Sequence, residues 1–424
     1  MAEIRPFRAW RYNSSLTNQI QEFTSPLFDV VSQKQRDKLY QNPLNSIHLS
    51  VPLGQTPADN AKKTLEKWIA DGTIKQEEKP AIYVYYQYYS LPSRISKQKQ
   101  YCRKGFITLI KAYNWDENII LRHENTIPAA VNDRIELLEK TGLNVSPTHG
   151  LYADNKFELE KYMDEAIKNP IYETEDYQGV REVFAKIDEP EIVEKFAQKL
   201  ENKKIILADG HHRYEGSMVY RQKCKEKNPN HTGDELYNFH LMYLTNSNSN
   251  DLRILPTHRL LTGLELNEEE ILEKLKEDFI VKQVENASDL NEMIWGKKWS
   301  FGLIFSETAY KIRLKAEKWE TLAWKFPNAV KNLDLTVLHY FFIEKIIGIK
   351  GKDQRKNTNI QFERNFTDCI TKVIRKEANL ALITNAVTMT EVKDVCKSGF
   401  TMPQKSTYFY PKAICGFCFA SVEE

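Results

Sequence analysis

The stretch KKIILADGHHRYEGSMVYRQ, residues 203–222, carries the strongest fold signal in this sequence. Its apolar run at residues 205–208 predicts a buried β-strand, and the pattern after the DGHHR loop predicts a helix reaching about Lys225. A helix that begins directly after a strand presents unpaired backbone N–H groups and the positive end of its dipole to the connecting loop. The stretch therefore predicts a strand–loop–helix unit whose loop, residues 209–213, binds an anion.

The five residues of this loop are of the types that bind phosphate. Gly210 lets the backbone approach a ligand closely, and the Arg213 guanidinium offers a planar fork to phosphate oxygens. His211 and His212 can donate to phosphate or move protons, and Asp209 can cap the helix or hold a metal ion such as Mg²⁺. A polar turn that contains a satisfied core histidine is the alternative interpretation.

The composition of the whole chain favours chemistry on a small metabolite. At 424 residues, with 41% hydrophobic and 28% charged residues, the chain is long enough for two packed units and typical of a globular protein. Its 60 Lys and Arg nearly balance 58 Asp and Glu, which argues against a nucleic-acid footprint. The N-terminus lacks the apolar core of a secretory signal, and no stretch approaches the ~20 apolar residues of a membrane span. Six cysteines are too few for a disulfide scaffold. We expect a cytoplasmic protein with neither membrane nor nucleic-acid partners.

The pattern of elements along the chain predicts three segments. Residues 1–114 form an N-terminal segment expected to pack on a core at residues 115–262, which contains the loop. Residues 263–424 predict an additional C-terminal α/β unit, in which Asn267 caps a helix with Glu270 three residues later. We therefore expect an α+β protein.

The N-terminal segment contains a predicted hairpin. The aromatic and β-branched run at residues 82–89 is typical of a strand, and residues 105–113 predict its partner. Residues 91–104, with five Lys or Arg, predict a solvated hairpin tip.

Two further polar stretches could contribute to a site. Glu124, in the stretch RHENT at residues 122–126, is a plausible general base for a hydroxyl group if it lies in a cleft, although a solvated charge or helix-start residue is the alternative. Arg253, Thr257 and His258 place polar groups in and around a loop after a strand, where binding sites tend to lie. A polar loop with one buried histidine is the alternative there.

A last polar stretch, residues 402–412, is rich in aromatic residues and predicts a strand. Within it, Lys405 stands beside two hydroxyl side chains, which suits contact with an anionic ligand. A structural or domain-contact role is the alternative interpretation.

Several of these stretches together resemble one bacterial family, domain of unknown function 1015. The matching stretches are ADGHHRY at 208–214, SPLFDVVS at 25–32, LRHENT at 121–126, SPTHGLY at 146–152, LPTHR at 255–259 and MPQKSTYFYPK at 402–412. The DGHHR loop by itself is similar to that of the free serine kinases, which belong to the ParB/sulfiredoxin-like superfamily.

The resemblance to the serine kinases implies a fold and a set of roles. It implies a ParB/sulfiredoxin-like core within residues 115–262, with the loop at residues 209–213 and Mg²⁺ holding the transferred phosphate. Glu124 would accept the hydroxyl proton of serine. Arg253, Thr257 and His258 would bind the amino acid.

The implied reaction is phosphoryl transfer on free L-serine or O-phosphoserine. ADP or ATP would serve as the second substrate of a kinase, and water would make the protein an O-phosphoserine phosphatase. The direction of transfer and the oligomeric state stay open at this point. A non-catalytic nucleotide-binding or regulatory module of the ParB type is the alternative function.

Overall fold

The computed structural model describes residues 1–91 and 99–423. The chain divides into two compact units. The first unit comprises Met1–Arg122, Thr126–Leu252 and Pro411–Glu424, and the second comprises His123–Asn125 and Arg253–Tyr410.

The strands of the described residues, in chain order, are β1 (Ile4–Arg5), β2 (Trp10–Tyr12), β3 (Ile74–Gln76), β4 (Ile82–Ser90), β5 (Gln100–Lys111), β6 (Ile120–Arg122), β7 (Leu143–Asn144), β8 (Thr148–Tyr152), β9 (Tyr172–Glu175), β10 (Arg181–Ile187), β11 (Ile205–Asp209), β12 (Phe239–Asn246), β13 (Arg253–Leu255), β14 (His258–Leu261), β15 (Phe279–Val284), β16 (Ser300–Ile304), β17 (Ala309–Leu314), β18 (Ile360–Glu363), β19 (Leu380–Ile383), β20 (Tyr408–Tyr410) and β21 (Ala420–Ser421).

The α-helices of the same residues are α1 (Ile20–Phe23), α2 (Gln33–Leu39), α3 (Ile47–Ser50), α4 (Pro57–Ala70), α5 (Pro128–Thr141), α6 (Glu160–Ala166), α7 (Pro190–Glu201), α8 (His211–Lys227), α9 (Glu268–Asp278), α10 (Leu290–Ile294), α11 (Asn328–Lys331), α12 (Asp334–Val337), α13 (Gly351–Gln354), α14 (Phe366–Ile374) and α15 (Met389–Ser398). A π-helical segment, Leu338–Glu344, continues directly from α12.

The first unit is built on one mixed sheet, which runs in the order β6-β11-β8-β12-β5-β4-β10-β9, with β1 added on β5. The pairs β6–β11 and β8–β12 are parallel, and the other neighbouring pairs in this order are antiparallel. Apolar side chains form a core on each face. The strand β4 contributes side chains to both cores, because Tyr83 and Tyr85 belong to one core while Val84 and Tyr86 belong to the other.

The predicted strand–loop–helix unit is confirmed by β11 and α8. The helix α8 packs beside α5, and a Cβ on Gly216 would come within 3.3 Å of the Arg134 Cβ. The helix α5 ends at Gly142, whose φ of 62° is a left-handed conformation that favours glycine. The helix α5 therefore packs closely against α8 at Gly216.

The second unit contains a six-stranded sheet in the order β15-β17-β16-β19-β14-β18, and β13 pairs with β20. Its first helix, α9, begins as predicted, because the Asn267 side chain accepts a hydrogen bond from the Glu270 amide. A core of Phe, Leu and Ile side chains from the sheet and the π-helical segment fills this unit.

The α+β class is confirmed, and the ParB/sulfiredoxin-like core stays a prediction. The units differ from the three predicted segments, because β4 and β5 lie inside the same sheet as β8, β11 and β12. Residues 411–424 also return to the first unit, where Phe417 and Phe419 are core residues. Strand pairing between distant stretches joins these segments, and local patterns carry no record of such pairing. None of the described helices has the length and apolar character needed to cross a bilayer.

The hairpin formed by β4 and β5 is confirmed, whereas its predicted tip is only partly covered. Residues 92–98 of that tip lie outside the described residues. The prediction was wrong for Arg103, which belongs to β5 and is only 1% exposed. A run of basic residues usually indicates a solvated segment, but the sheet places this one in the interior.

Candidate functional site

The loop between β11 and α8 turns at Gly210. Its φ of 88° and ψ of 28° are left-handed, and a Cβ there would come within 2.6 Å of the Thr148 Cγ2 atom. Glycine is therefore required both by the conformation and by the close packing against β8. Because Gly210 has no side chain, it cannot cap the first amide groups of α8.

Asp209, at the end of β11, is held between two cations. Its Oδ2 atom accepts a hydrogen bond from the Arg213 Nη2 atom at 2.8 Å, and its Oδ1 atom accepts one from the Lys412 ammonium. Burial by itself would raise the pKa of Asp209, but the charges of Lys412 and Arg213 outweigh it and lower that pKa. Asp209 is therefore an ionised carboxylate inside the first unit.

The Arg213 side chain is buried and reaches back to the segment before β8. Its Nη1 atom donates to the Pro147 carbonyl oxygen and, at 3.2 Å, to the Ser146 hydroxyl. Its Nε atom is enclosed and finds no hydrogen-bond partner among the residues described. One donor of this guanidinium therefore stays unused within the described part of the chain.

His149 on β8 lies beside this group. Its Nε2 atom is 2.7 Å from the Thr245 hydroxyl, and its ring stacks on Tyr243 with centroids 5.2 Å apart. Burial, followed by the charge of Arg103, lowers the pKa of His149 well below its ordinary value. The imidazole is therefore neutral at physiological pH and adds no charge.

We call Asp209, Gly210, Arg213, His149 and Lys412 the Asp209 cluster. Within the first unit it contains two cations, Arg213 and Lys412, and one carboxylate, Asp209. Its charged side chains are almost completely buried. A buried cluster with more cations than carboxylates is suited to receive an anion.

The two histidines of the loop differ in their surroundings. His211 is buried, whereas His212 is half-buried and accepts a hydrogen bond at its Nε2 atom from the Ile127 amide at 2.9 Å. This acceptor role places the proton of a neutral His212 on Nδ1. The Thr126 hydroxyl donates to the Glu215 carboxylate at 2.5 Å, which attaches residues 126–127 to α8.

The second unit contains a different polar group, built around His123. Its Nε2 atom is 2.7 Å from the Thr407 hydroxyl, and its carbonyl oxygen accepts a hydrogen bond from the Met402 amide at 2.8 Å. The Asn125 side-chain amide donates to the Thr401 hydroxyl at 2.8 Å. These bonds join residues 123–125 to the turn that precedes β20.

The Arg259 guanidinium, which is fully buried, belongs to the same group. Its Nε atom donates to the His339 Nε2 atom at 3.2 Å, its Nη1 atom to the Thr257 carbonyl oxygen, and its Nη2 atom to the Gln404 carbonyl oxygen at 3.0 Å. Burial lowers the pKa of Arg259 to about 9, while the charge of Glu124 acts in the opposite direction. We call His123, Glu124, Arg259 and their partners the His123 cluster.

The residues predicted to bind the amino acid also lie in the second unit. The His258 Nδ1 atom accepts a hydrogen bond from the Thr384 amide at 3.2 Å, and the Thr384 hydroxyl donates to the Thr257 carbonyl oxygen at the same distance. Burial, together with the charge of Arg259, lowers the pKa of His258 to about 4. Arg253 begins β13, opposite Tyr410 of β20. These bonds give Thr257 and His258 a structural function, and ligand binding by them stays a prediction.

Lys405 occupies the turn of the His123 cluster. Its φ of 54° is left-handed, which is uncommon for a residue with a side chain. The neighbouring Ser406 hydroxyl donates to the Pro403 carbonyl oxygen at 2.5 Å and closes this turn. Contact between Lys405 and an anion stays a prediction.

The comparisons with known proteins agree with the motif pattern. The family model described as Protein of unknown function (DUF1015) matches residues 4–336. The chain belongs to this family. A comparison with curated proteins found no match to the chain.

Solved structures with partial likeness include three of interest. A free serine kinase in complex with AMP is 14% identical, with 72% of this chain and 86% of that chain covered and a TM-score of 0.36. A conserved hypothetical protein from Pyrococcus furiosus is 15% identical, with 72% and 90% covered and a TM-score of 0.34. SbnI with a C-terminal truncation, from Staphylococcus aureus, is 9% identical, with 74% and 87% covered and a TM-score of 0.37. At these TM-scores the likeness supports no conclusion about function.

The structure thus divides the predicted site residues of this family member between its two units. The five loop residues lie in the first unit, while Glu124, Arg253, Thr257, His258 and Lys405 lie in the second. Sequence reasoning missed Lys412, His149 and Ser146. Each of them lies inside a family stretch, so the motif pattern contained a signal, although nothing in it showed that these residues meet Asp209.

The described residues do not fit Mg²⁺ at Asp209. Both oxygen atoms of this carboxylate already accept hydrogen bonds from cations, which compete with a metal ion for the same lone pairs. Within residues 1–91 and 99–423, no group of three or more His, Cys, Asp or Glu side chains is arranged to hold a metal. The assignment of Asp209 as a metal ligand therefore finds no support.

Proposed function

We propose that the Asp209 cluster binds the phosphate group of a small metabolite, and that the protein catalyses phosphoryl transfer on L-serine or O-phosphoserine. The observation that carries the first part is the charge of the cluster. Within the first unit, Lys412 and Arg213 surround the single carboxylate of Asp209, and the Arg213 Nε donor is unused among the described residues. A phosphate group would compensate the excess positive charge, and one of its oxygen atoms would accept a hydrogen bond from the unused donor.

The start of α8 adds a second contribution to anion binding. This helix has 17 residues, and Gly210 leaves its first amide groups without a side-chain cap. The positive end of the helix dipole favours a negative charge at this position. Both contributions act at the same end of the helix, because Arg213 belongs to its first turn.

The proposed chemistry follows from the sequence resemblance of the loop. In the kinase direction, the serine hydroxyl oxygen forms a bond to phosphorus, the bond from phosphorus to the leaving oxygen of ADP or ATP breaks, and the hydroxyl proton moves to a base. In the phosphatase direction, a water oxygen forms a bond to phosphorus, the bond from phosphorus to the serine oxygen breaks, and a proton from the water is transferred to the leaving serine oxygen. Glu124 is the proposed base, and His211 and His212 are proposed donors to the phosphate.

Lys412→Met tests the phosphate site, because it keeps an unbranched side chain that is one atom shorter than that of lysine and removes the charge. Binding of inorganic phosphate, O-phosphoserine, ADP and ATP to the full chain would be measured by calorimetry. We expect the variant to bind the phosphate ligands at least about tenfold more weakly, the effect of one charge-assisted hydrogen bond of ~1.5 kcal/mol.

Lys199→Met is the matched control. Lys199 pairs with the buried Asp154 at 2.9 Å in the same unit and belongs to neither cluster. Equal affinity of wild type and Lys412→Met for every phosphate ligand would contradict the proposed site. Nucleotide binding without turnover of serine or O-phosphoserine would instead favour a regulatory module.

A further inference from the structure

A line of buried polar side chains crosses the sheet of the first unit beyond the Asp209 cluster. Arg103 on β5 stands opposite Gln87 on β4, Gln87 opposite Glu182 on β10, and Glu182 opposite Thr174 on β9. Residues directly opposite in a sheet point to the same face, so these four side chains share one face. We call Arg103, Gln87, Glu182 and Thr174 the polar row.

The polar row is joined to the Asp209 cluster through one residue. The Gln87 side-chain amide donates to the Glu182 Oε1 atom and to the Lys412 carbonyl oxygen, both at 3.0 Å, while its oxygen accepts from the Arg103 Nη2 atom. The Lys412 ammonium contacts Asp209. One lysine, from its carbonyl oxygen to its ammonium, therefore spans the distance between the polar row and the Asp209 cluster.

The polar row retains unused hydrogen-bonding atoms. The Nε and Nη1 atoms of Arg103, and the Oε2 atom of Glu182, are enclosed and make no hydrogen bond of normal geometry among the residues described. Tyr243 lies beside Arg103, and the Tyr85 hydroxyl lies near Glu182. Both side chains are almost fully buried, at 1% and 0% exposure. Buried polar atoms without partners are costly, and their presence in a folded protein calls for an explanation such as a ligand or ordered water.

Two other buried arginines of the chain, Arg134 and Arg259, do not share this property. The Arg134 guanidinium uses all three nitrogen atoms, with the Asp133 carboxylate and the Ser50 carbonyl oxygen as acceptors. The Arg259 guanidinium also uses all three. Arg103 and Arg213 therefore differ from these two arginines, and burial alone does not account for their unused donors.

The chemistry of the polar row matches one end of an amino acid. A free amino acid has a carboxylate and an ammonium group. A guanidinium binds the carboxylate, and a carboxyl oxygen accepts a hydrogen bond from the ammonium group. Burial raises the pKa of Glu182 well above its ordinary value, and the positive charge of an ammonium ligand beside it would lower that pKa.

We propose that Arg103 binds the carboxylate and Glu182 the ammonium group of the amino acid whose phosphate is bound at the Asp209 cluster. This inference rests on the proposed function, and it assigns the amino-acid end to residues of the first unit that belong to none of the family stretches. Gln87 holds both side chains in position.

Two phosphate ligands that differ only at the amino-acid end test the inference. O-Phosphoethanolamine is O-phosphoserine without its carboxylate. The full wild-type chain should bind O-phosphoserine at least about tenfold more tightly than O-phosphoethanolamine, the contribution of a charge-assisted hydrogen bond. Arg103→Met should lose this preference while it retains the wild-type affinity for O-phosphoethanolamine.

Arg134→Met is the matched control, because it also removes a buried guanidinium from the first unit. It should leave the preference for O-phosphoserine intact, and thermal unfolding would show whether both variants fold. If Arg103→Met does not fold, Glu182→Gln serves instead. It should lose the preference for O-phosphoserine over 3-(phosphonooxy)propanoate, which lacks the ammonium group.

The outcomes separate this inference from the proposed function. If no phosphate ligand binds the wild-type chain, the proposed function fails. If phosphate ligands bind but Arg103→Met or Glu182→Gln keeps the wild-type preference, only this inference fails, and ordered water accounts for the unused atoms of the polar row.

Discussion

The Asp209 cluster and the His123 cluster each contain polar residues from the family stretches around a buried arginine. The hydrogen-bond partners of that arginine differ between the two clusters. In the His123 cluster, Arg259 donates all its guanidinium hydrogen bonds to neutral groups, two carbonyl oxygens and a histidine nitrogen. In the Asp209 cluster, Arg213 shares the Asp209 carboxylate with Lys412 and keeps an unused Nε donor within the described residues.

The difference indicates what each buried arginine contributes. A guanidinium whose donors are all used holds chain segments together and needs nothing further. A buried group with more cations than carboxylates carries positive charge that nothing compensates, and this charge destabilises the folded state. A bound anion reduces that destabilisation. The comparison therefore supports the proposal that the Asp209 cluster binds an anionic ligand, whereas the bonds of Arg259 join segments of the second unit.

The prediction with the largest expected effect concerns Glu124, because a catalytic Glu124 would add a second function to the His123 cluster. Glu124→Gln keeps the shape of the side chain and removes its charge. If Glu124 is the general base, turnover of serine or O-phosphoserine should fall by ~10²–10⁴-fold, while phosphate binding is retained. Turnover would be followed by release of serine, phosphate or ATP. Wild-type turnover in the variant would leave the His123 cluster with a structural function alone.

Asp209→Asn should produce the next largest effect. The substitution leaves Lys412 and Arg213 buried without their shared carboxylate, so the free energy of unfolding should fall by about 3–5 kcal/mol. Urea unfolding measures this loss, and added phosphate should restore part of it because it binds the folded state. Asp133→Asn is the control, since its partly exposed pair with Arg134 contributes about 1 kcal/mol or less. A loss of similar size in both variants would argue against a special charge balance at Asp209.

Arg259→Met should have a smaller effect on stability and none on phosphate binding. The variant removes the donor of the Gln404 carbonyl oxygen and one of the two donors of the Thr257 carbonyl oxygen, which should lower the free energy of unfolding by about 1–3 kcal/mol. Arg364→Met, which removes a half-buried guanidinium lying over the Tyr408 ring in the same unit, is the control. Weaker binding of inorganic phosphate to Arg259→Met than to this control would break the distinction between the clusters.

The smallest expected effect is a dependence of stability on pH. The two units contain aspartates whose pKa values are shifted in opposite directions. Burial raises the pKa of Asp334, in the second unit, from 3.8 to about 6, whereas the charges around Asp209 lower its pKa. Between pH 3.8 and about 6 the folded state binds more protons at Asp334 than the unfolded state, so stability should fall as pH rises through this window. Urea unfolding at several pH values should show this slope reduced in Asp334→Asn. An unchanged slope would place the titration elsewhere.

Several elements could be predicted because their signals are local. The apolar run of β11 and the Asn267 cap of α9 each involve residues that are close to one another along the chain. Backbone conformation and capping depend on such near neighbours. The same local reasoning was wrong for Arg103, because the basic residues around it indicated solvent and only the sheet shows that it is buried.

By itself, the sequence determined the family, the α+β class and the strand–loop–helix unit at residues 203–222. Only the tertiary structure decided which charges share a carboxylate, because Lys412 is 203 residues from Asp209 along the chain. It also decided that Arg103 meets Gln87 and Glu182 across three strands. The physical reason is that electrostatic interactions and burial depend on distance in space, whereas composition and periodicity report only neighbours along the chain.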